Sequence, residues 1–184
     1  MAKKGDVLVN KEFGVTSQHA GRCNTDEVGL KFLIEKFGIQ SMVDIGCGLG
    51  GQTVIAQKLG IHAIGIDGDP TIPNFPGLVR HDYNTGPLVI NPVGLGWCSA
   101  FVEHIHEKYM PNFIETFKCC KYVIMTYAPP KLGGRHHVNC KESPYWMHVM
   151  DMAGFDFDLD TTNEIRKISQ QKWIPPYGLF FIRR

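Results

Sequence analysis

The chain has 184 residues, long enough for one domain with a proper core and too short for two ordinary ones. Its hydrophobic share of 43% and charged share of 20% suit a soluble globular protein, and no apolar run approaches the ~20 residues that a membrane helix needs. A formal net charge of +1 gives no electrostatic reason for a polyanionic partner, so neither nucleic acid nor membrane is expected.

The basic start, MAKKGDVLVN, has too short an apolar stretch for a signal peptide, and the expected location is a cytoplasm. Six cysteines occur, none in a C-x-x-C pair, which argues for reduced thiols and against a structural zinc site. Residues 1–22 show no period and read as an N-terminal arm, with the rest one continuous domain. Asn24 and Glu27 are spaced as a capping pair, ahead of Leu30, Leu33, Ile34 and Phe37 on one helical face, with Gly38 as the stop.

Next, Ser41 to Ile45 reads as a buried strand, followed by a glycine turn and a helix from Gln52 to Leu59. HAIGID, ending at Asp67, is a second strand, so these segments form one βαβ unit. Leu78 to Tyr83 is predicted as the third strand and Val93 to Ser99 as the fourth. Phe101 to Tyr109 and Asn112 to Phe117 are predicted helical, broken by Pro111. Tyr122 to Tyr127 is the fifth strand.

A loop, APPKLGGRHHVN, follows. Ser143 then caps a helix with Pro144 at its first position and Trp146, Val149, Met150 and Ala153 on one face. FDFD, a helix from Thr161 to Ser169, and GLFFIR close the chain. Such alternation indicates an α/β fold with a mostly parallel sheet covered on both faces, and ligands then bind at the carboxyl ends of the strands.

Asp44 to Gly51 reads D-I-G-C-G-L-G-G. Gly46, Gly48 and Gly50 remove side chains where a ligand must touch backbone, and the turn can hold a phosphate, a carboxylate or a ribose. The glycines also fit the dinucleotide pattern, so a nicotinamide oxidoreductase stays in view. Asp67, with Gly68 behind it, stands about 20 residues on, where a carboxylate accepts from ribose hydroxyls. Asp82 follows the third strand, where a carboxylate can accept an adenine amine and the Tyr83 N–H can reach a ring nitrogen. Asp44 is an acceptor-only group that suits an ammonium and not a pyrophosphate.

V-D-I-G-C-G-L-G-G, G-I-D-G-D, H-D-Y and W-C-S-A-F-V-E-H-I together resemble the class I S-adenosylmethionine (AdoMet)-dependent methyltransferases, over roughly residues 26–184. The resemblance implies a Rossmann-like three-layer α/β/α sandwich whose seven-stranded, mostly parallel sheet has an antiparallel last strand. It implies that Asp44, Gly46, Cys47, Gly48 and Gly50 hold the methionine end and that Asp67 holds the ribose. Asp82 with Tyr83 would frame the adenine, and Cys98 and Ser99 would line the floor through backbone.

F-V-E-H-I is similar to the branch that includes ubiquinone-biosynthesis O-methyltransferases. Members often carry acids where Ala100 and Gly94 stand here, and in some the first joins Glu103 and His104 at a divalent metal. Since Ala100 cannot, no metal is expected. H-H-V-N resembles a segment of small bacterial and phage-type methyltransferases.

The expected function is methyl transfer from AdoMet to a hydroxyl or amine of a small-molecule or sugar acceptor. His137 is the expected base and His104 the second candidate, with Arg135, His136 and Asn139 as acceptor contacts. His106 and His148 are expected on the surface, Trp97 and Trp146 in the core. A non-catalytic AdoMet-binding protein is the alternative reading. The D/N-P-P-Y/F tetrad of base-methylating enzymes is absent from the turn after the fourth strand, which is C-S-A-F.

Overall fold

The computed structural model describes residues 24–184, so the arm expected at 1–22 lies outside the described residues. In chain order the elements are α1 (Glu27–Phe37), β1 (Ser41–Ile45), α2 (Gly51–Lys58), β2 (His62–Asp67), β3 (Leu78–Arg80) and β4 (Val93–Cys98). They continue with α3 (Met110–Phe117), β5 (Cys120–Thr126), α4 (Ser143–Met152), β6 (Phe155–Phe157), α5 (Leu159–Ile168), α6 (Ile174–Tyr177) and β7 (Gly178–Arg183). Seven strands form one sheet in the order β3-β2-β1-β4-β5-β7-β6. Pairs from β3 through β5 are parallel, and β7 runs antiparallel to both β5 and β6.

Strand period two divides the core between the sheet's faces. Val43, Ile45, Val123 and Met125 pack with Phe113, Phe117, Trp146 and Met150 from α3 and α4. Met42, Leu95, Trp97 and Ile124 pack with Leu30, Leu33, Ala56 and Ile165 from α1, α2 and α5. Trp97 and Trp146 are core residues, as expected. The order reverses at β1, which lies between β2 and β4, so the crevice at their carboxyl ends is the topological switch point. No helix among the described residues is long and apolar enough to cross a membrane.

Several local expectations need correction. Asp26, not Asn24, caps α1, its Oδ1 accepting from Gly29 N at 2.8 Å. Asp26 also exchanges two bonds with Gln52, and its Oδ1 accepts from Gln170 N, which ties the start of α1 to α2 and to the chain after α5. The third strand stops at Arg80, because the Asp82 side chain accepts from Asn84 N and turns the chain. Pro111 opens α3 and does not break it, since a first-turn proline gives up no helical hydrogen bond. Ser143 is the first helical residue of α4 and makes no cap bond.

Residues 101–109 form two 3-10 turns, Val102–His104 and Glu107–Tyr109, where an α-helix was predicted. The Glu103 carbonyl is taken by Val138 N (2.9 Å) and Asn139 N (3.1 Å), so it cannot accept from a helical amide four residues on.

Asp26→Ala should cost about 1–2 kcal/mol of stability, the usual worth of an N-cap, whereas Asn24→Ala should change it by under about 0.5 kcal/mol. Urea unfolding of the two variants checks this.

Candidate active site

Asp44 lies in the middle of the sheet, opposite Gly65 of β2 and Trp97 of β4. It is 4% exposed, and its Oδ2 accepts from Thr53 Oγ1 at 2.9 Å. Gly65 makes that bond possible. A Cβ there would stand 2.8 Å from both Thr53 Oγ1 and Cys47 Sγ. Burial pushes the Asp44 carboxyl up to about 7; the Thr53 hydroxyl opposes the rise and nearby Asp67 adds to it.

The turn after β1 holds Gly46, Gly48 and Gly50 at φ +74°, +52° and +78°, a region that glycine enters without steric cost. Its amides are largely committed within the protein. Gly46 N and Cys47 N donate to Ile66 O, Gly50 N donates to Cys47 O, and Gly48 N donates to Asp67 Oδ2 at 2.8 Å. A pyrophosphate would need such amides and would meet two acids instead. The Cys47 side chain packs across Gly65, which leaves only its backbone to the turn.

Asp67 ends β2. Its Oδ1 accepts from Asp69 N at 2.9 Å, so both oxygens are positioned by backbone donors. Burial raises this carboxyl too, against those two amides. Each oxygen keeps a second acceptor site. Gly68 follows directly.

Asp82 is half-buried beyond β3, with one oxygen committed to Asn84 N. The Tyr83 ring is buried, its hydroxyl paired with Thr116 Oγ1 at 2.9 Å, so only its backbone faces the role expected of it. Cys98 is buried at the end of β4, and the Ser99 hydroxyl is held by the Gln171 amide, whose own oxygen accepts from Trp173 N and Ile174 N.

The loops after β4 and β5 dock on each other. His104 Nδ1 bonds the His136 carbonyl at 3.1 Å, and the Glu103 carbonyl receives Val138 N and Asn139 N. His104 and His137 stand edge to face with centroids 5.0 Å apart, and the His137 ring covers Gly134. Ala100 and His136 are the only non-glycine residues at positive φ among the described residues, at +53° and +56°. Held in place by Thr126 Oγ1 on Ala100 N and by His104 on His136 O, they store strain at the loop pair. Glu103 is 5% exposed, and burial pushes its carboxyl up to about 7.

Asn139 is not an acceptor contact. It is 2% exposed, and its amide donates to Val102 O at 3.4 Å, so it fastens the two loops together. Arg135 is exposed and His136 half-buried on the same loop, while His106 and His148 are on the surface, as expected. Gly94, one of the two positions where the resemblance led an acid to be looked for, lies at the amino end of β4 against the Ser41 carbonyl.

Sequence reasoning missed Thr53, Phe75, Phe101 and Gln171. The Phe101 and Phe75 rings lie where side chains on Gly46 and Gly50 would project, so these glycines also make room for aromatic cover. Only Thr53, in the first turn of α2, had a local signal.

No protein-family model matches the chain, and no curated protein sequence matches it. Solved structures do. The sugar N-methyltransferase KedS8 from Streptoalloteichus sp ATCC 53650 superposes over 100% of this chain and 97% of its own, with a TM-score of 0.66 at 9% identity. Magnesium protoporphyrin IX methyltransferase from Synechocystis PCC 6803, solved with bound SAH, covers 98% and 90%, with a TM-score of 0.63 at 15% identity. A SAM dependent methyltransferase from Archaeoglobus fulgidus covers 94% and 96%, with a TM-score of 0.57 at 17% identity. The fold is that of the class I AdoMet-dependent methyltransferases. Within this methyltransferase fold, the antiparallel β7 between β5 and β6 is the feature the sequence resemblance implied.

Because its folded pKa exceeds the unfolded one, Asp44 binds an extra proton in the native state from about pH 4 to about 7. Stability therefore falls as pH rises through that window. Asp44→Asn should lose less stability than the parent protein between pH 5 and pH 8, measured by thermal melts; equal pH slopes would contradict the assignment. Glu103 contributes with the same sign, so the slope should not vanish.

Proposed function

We propose that the protein is an AdoMet-dependent methyltransferase that moves a methyl group to a hydroxyl or amine of a small-molecule or sugar acceptor. The observation that carries this reading is the pair of acids at the switch point of the sheet, Asp44 buried and Asp67 half-buried. A ligand that brings an ammonium and a ribose fits both: the ammonium offsets the charge that burial disfavours on Asp44, and the ribose hydroxyls donate to the remaining acceptor sites of Asp67. A pyrophosphate fits neither, which sets the nicotinamide reading aside. When bound, AdoMet supplies a methyl group already activated on a sulfonium.

The chain's own residues do the rest. Asp44 and the turn from Gly46 to Gly50 hold the methionine end, with Cys47 contributing backbone alone. Asp67, with Gly68, holds the ribose. Asp82 and the Tyr83 N–H frame the adenine, and Cys98 and Ser99 form the floor.

Alignment of acceptor and methyl donor is the main task in methyl transfer, and the docked loops after β4 and β5 provide a rigid frame for it. His137, with His104 beside it, serves the acceptor oxygen or nitrogen, as an imidazole can near neutral pH. Arg135 and His136 lie on the same loop and contact the acceptor.

Titration calorimetry should show AdoMet binding and no NAD binding. Asp67→Ala should weaken AdoMet at least tenfold with the melting profile retained; unchanged affinity removes Asp67 from the site. His137→Ala should lower S-adenosylhomocysteine release with hydroxyl and amine acceptors far more than it lowers AdoMet affinity. A parent protein that binds AdoMet but releases no S-adenosylhomocysteine with any acceptor would favour a binding protein over an enzyme.

A further inference from the structure

Phe101 opens the loop after β4, and it is half-buried, so part of its surface stays open. It touches two parts of the site at once. On one side it lies against the turn after β1, where a Cβ on Gly46, at φ +74°, would stand 2.5 Å from Phe101 Cδ2. On the other it meets the Tyr83 ring at a steep angle, with centroids 5.7 Å apart. Phe113 of α3 packs on it in the same edge-to-face manner at 5.6 Å.

The backbone at this ring is fixed from both sides. Ala100 N donates to Thr126 Oγ1 at 2.8 Å, and the Phe101 carbonyl accepts from His104 N at 2.9 Å. Ligand binding therefore has little to order here.

This inference rests on the function proposed above. There the turn at Gly46 holds the methionine end, and Asp82 with the Tyr83 N–H frames the adenine. The sulfonium of AdoMet joins those two ends. Phe101 is in contact with both the Gly46 turn and Tyr83, so its ring borders the span that the sulfonium must bridge. A phenyl face carries partial negative charge and attracts a cation, more strongly where water is partly excluded.

We propose that Phe101 contacts the sulfonium and selects the charged methyl donor over its neutral product, S-adenosylhomocysteine. Asp44 and Asp67 cannot make that choice, because donor and product carry the same ammonium and the same ribose. Transfer breaks the bond between sulfur and the methyl carbon and leaves the electron pair on sulfur, which cancels its charge. The methyl carbon bonds to the acceptor atom, and the acceptor proton passes to His137 or to water. The attraction at Phe101 is lost with that charge, while the contacts at Asp44 and Asp67 persist. The ring thus weakens the hold on the product relative to the donor. An aliphatic side chain would cover Gly46 equally well and would not distinguish the two.

The test is calorimetric titration of the full-length protein with AdoMet and with S-adenosylhomocysteine, at one pH. The readout is the ratio of the two affinities. Phe101→Leu should shift the ratio against AdoMet by about threefold to tenfold, with S-adenosylhomocysteine affinity within about twofold of the parent. Pentafluorophenylalanine placed at position 101 keeps nearly the same shape and reverses the charge on the ring face, so it should shift the ratio the same way even if Phe101→Leu folds poorly. Phe101→Tyr, which keeps the ring, should keep the ratio, and Asp67→Ala should weaken both ligands by the same factor. Equal losses for both ligands in Phe101→Leu, or a parent-like ratio in the folded fluorinated protein, reduce the ring to a space-filling wall and overturn the proposal alone. A parent protein that binds neither ligand removes the methyltransferase reading, and this proposal with it.

Discussion

Asp44 and Asp67 lie at the carboxyl ends of neighbouring parallel strands, Asp44 buried and Asp67 half-buried, and the nearby Asp67 charge adds to the cost of ionising Asp44. Much of the local sequence follows from accommodating this pair. Thr53 reaches Asp44 from the first turn of α2, and it can do so because β2 has glycine at 65. The turn after β1 gives its Gly48 amide to Asp67, and Asp69 gives another. These bonds offset part of the desolvation cost but leave both carboxyls above their ordinary range. A site so built favours a ligand that brings positive charge and hydroxyl donors.

The edge formed by the loops after β4 and β5 is organised differently. There the backbone is strained, at Ala100 and His136, and the strain is held by side chains from other elements, Thr126 and His104. Asn139 and the Glu103 carbonyl replace what would have been helical hydrogen bonds with bonds between loops. The result is a fixed frame carrying His104, His136, His137 and the buried Glu103 on the loops after β4 and β5.

The sheet was legible because its strands are short apolar runs punctuated by glycine, and the boundaries of β1, β2 and β7 coincide with SMVDI, HAIGID and GLFFIR. Asp44, Asp67 and the glycine turn were legible for the same reason, since a strand end followed by a turn fixes where a side chain emerges. What was not legible depends on contacts distant in sequence. The residues around His104 carry a helical pattern, and only a loop distant in sequence, whose Val138 and Asn139 amides take the Glu103 carbonyl, explains why they form 3-10 turns. Asn139 looks like an exposed polar residue in a glycine-rich loop until its amide is seen on Val102 O. Phe75 and Phe101 gave no sign that they cover glycines far from them in the chain.

The most direct measurement of the central claim is the proton balance of AdoMet binding, read from calorimetry at pH 6.5 in buffers of different ionisation heat. With the Asp44 carboxyl near 7, most of one proton should leave the protein as the ammonium enters, and Asp44→Asn should release markedly less. Binding with no proton release, or the same release in the variant, would contradict the account that a buried acid at the switch point waits for a cationic ligand.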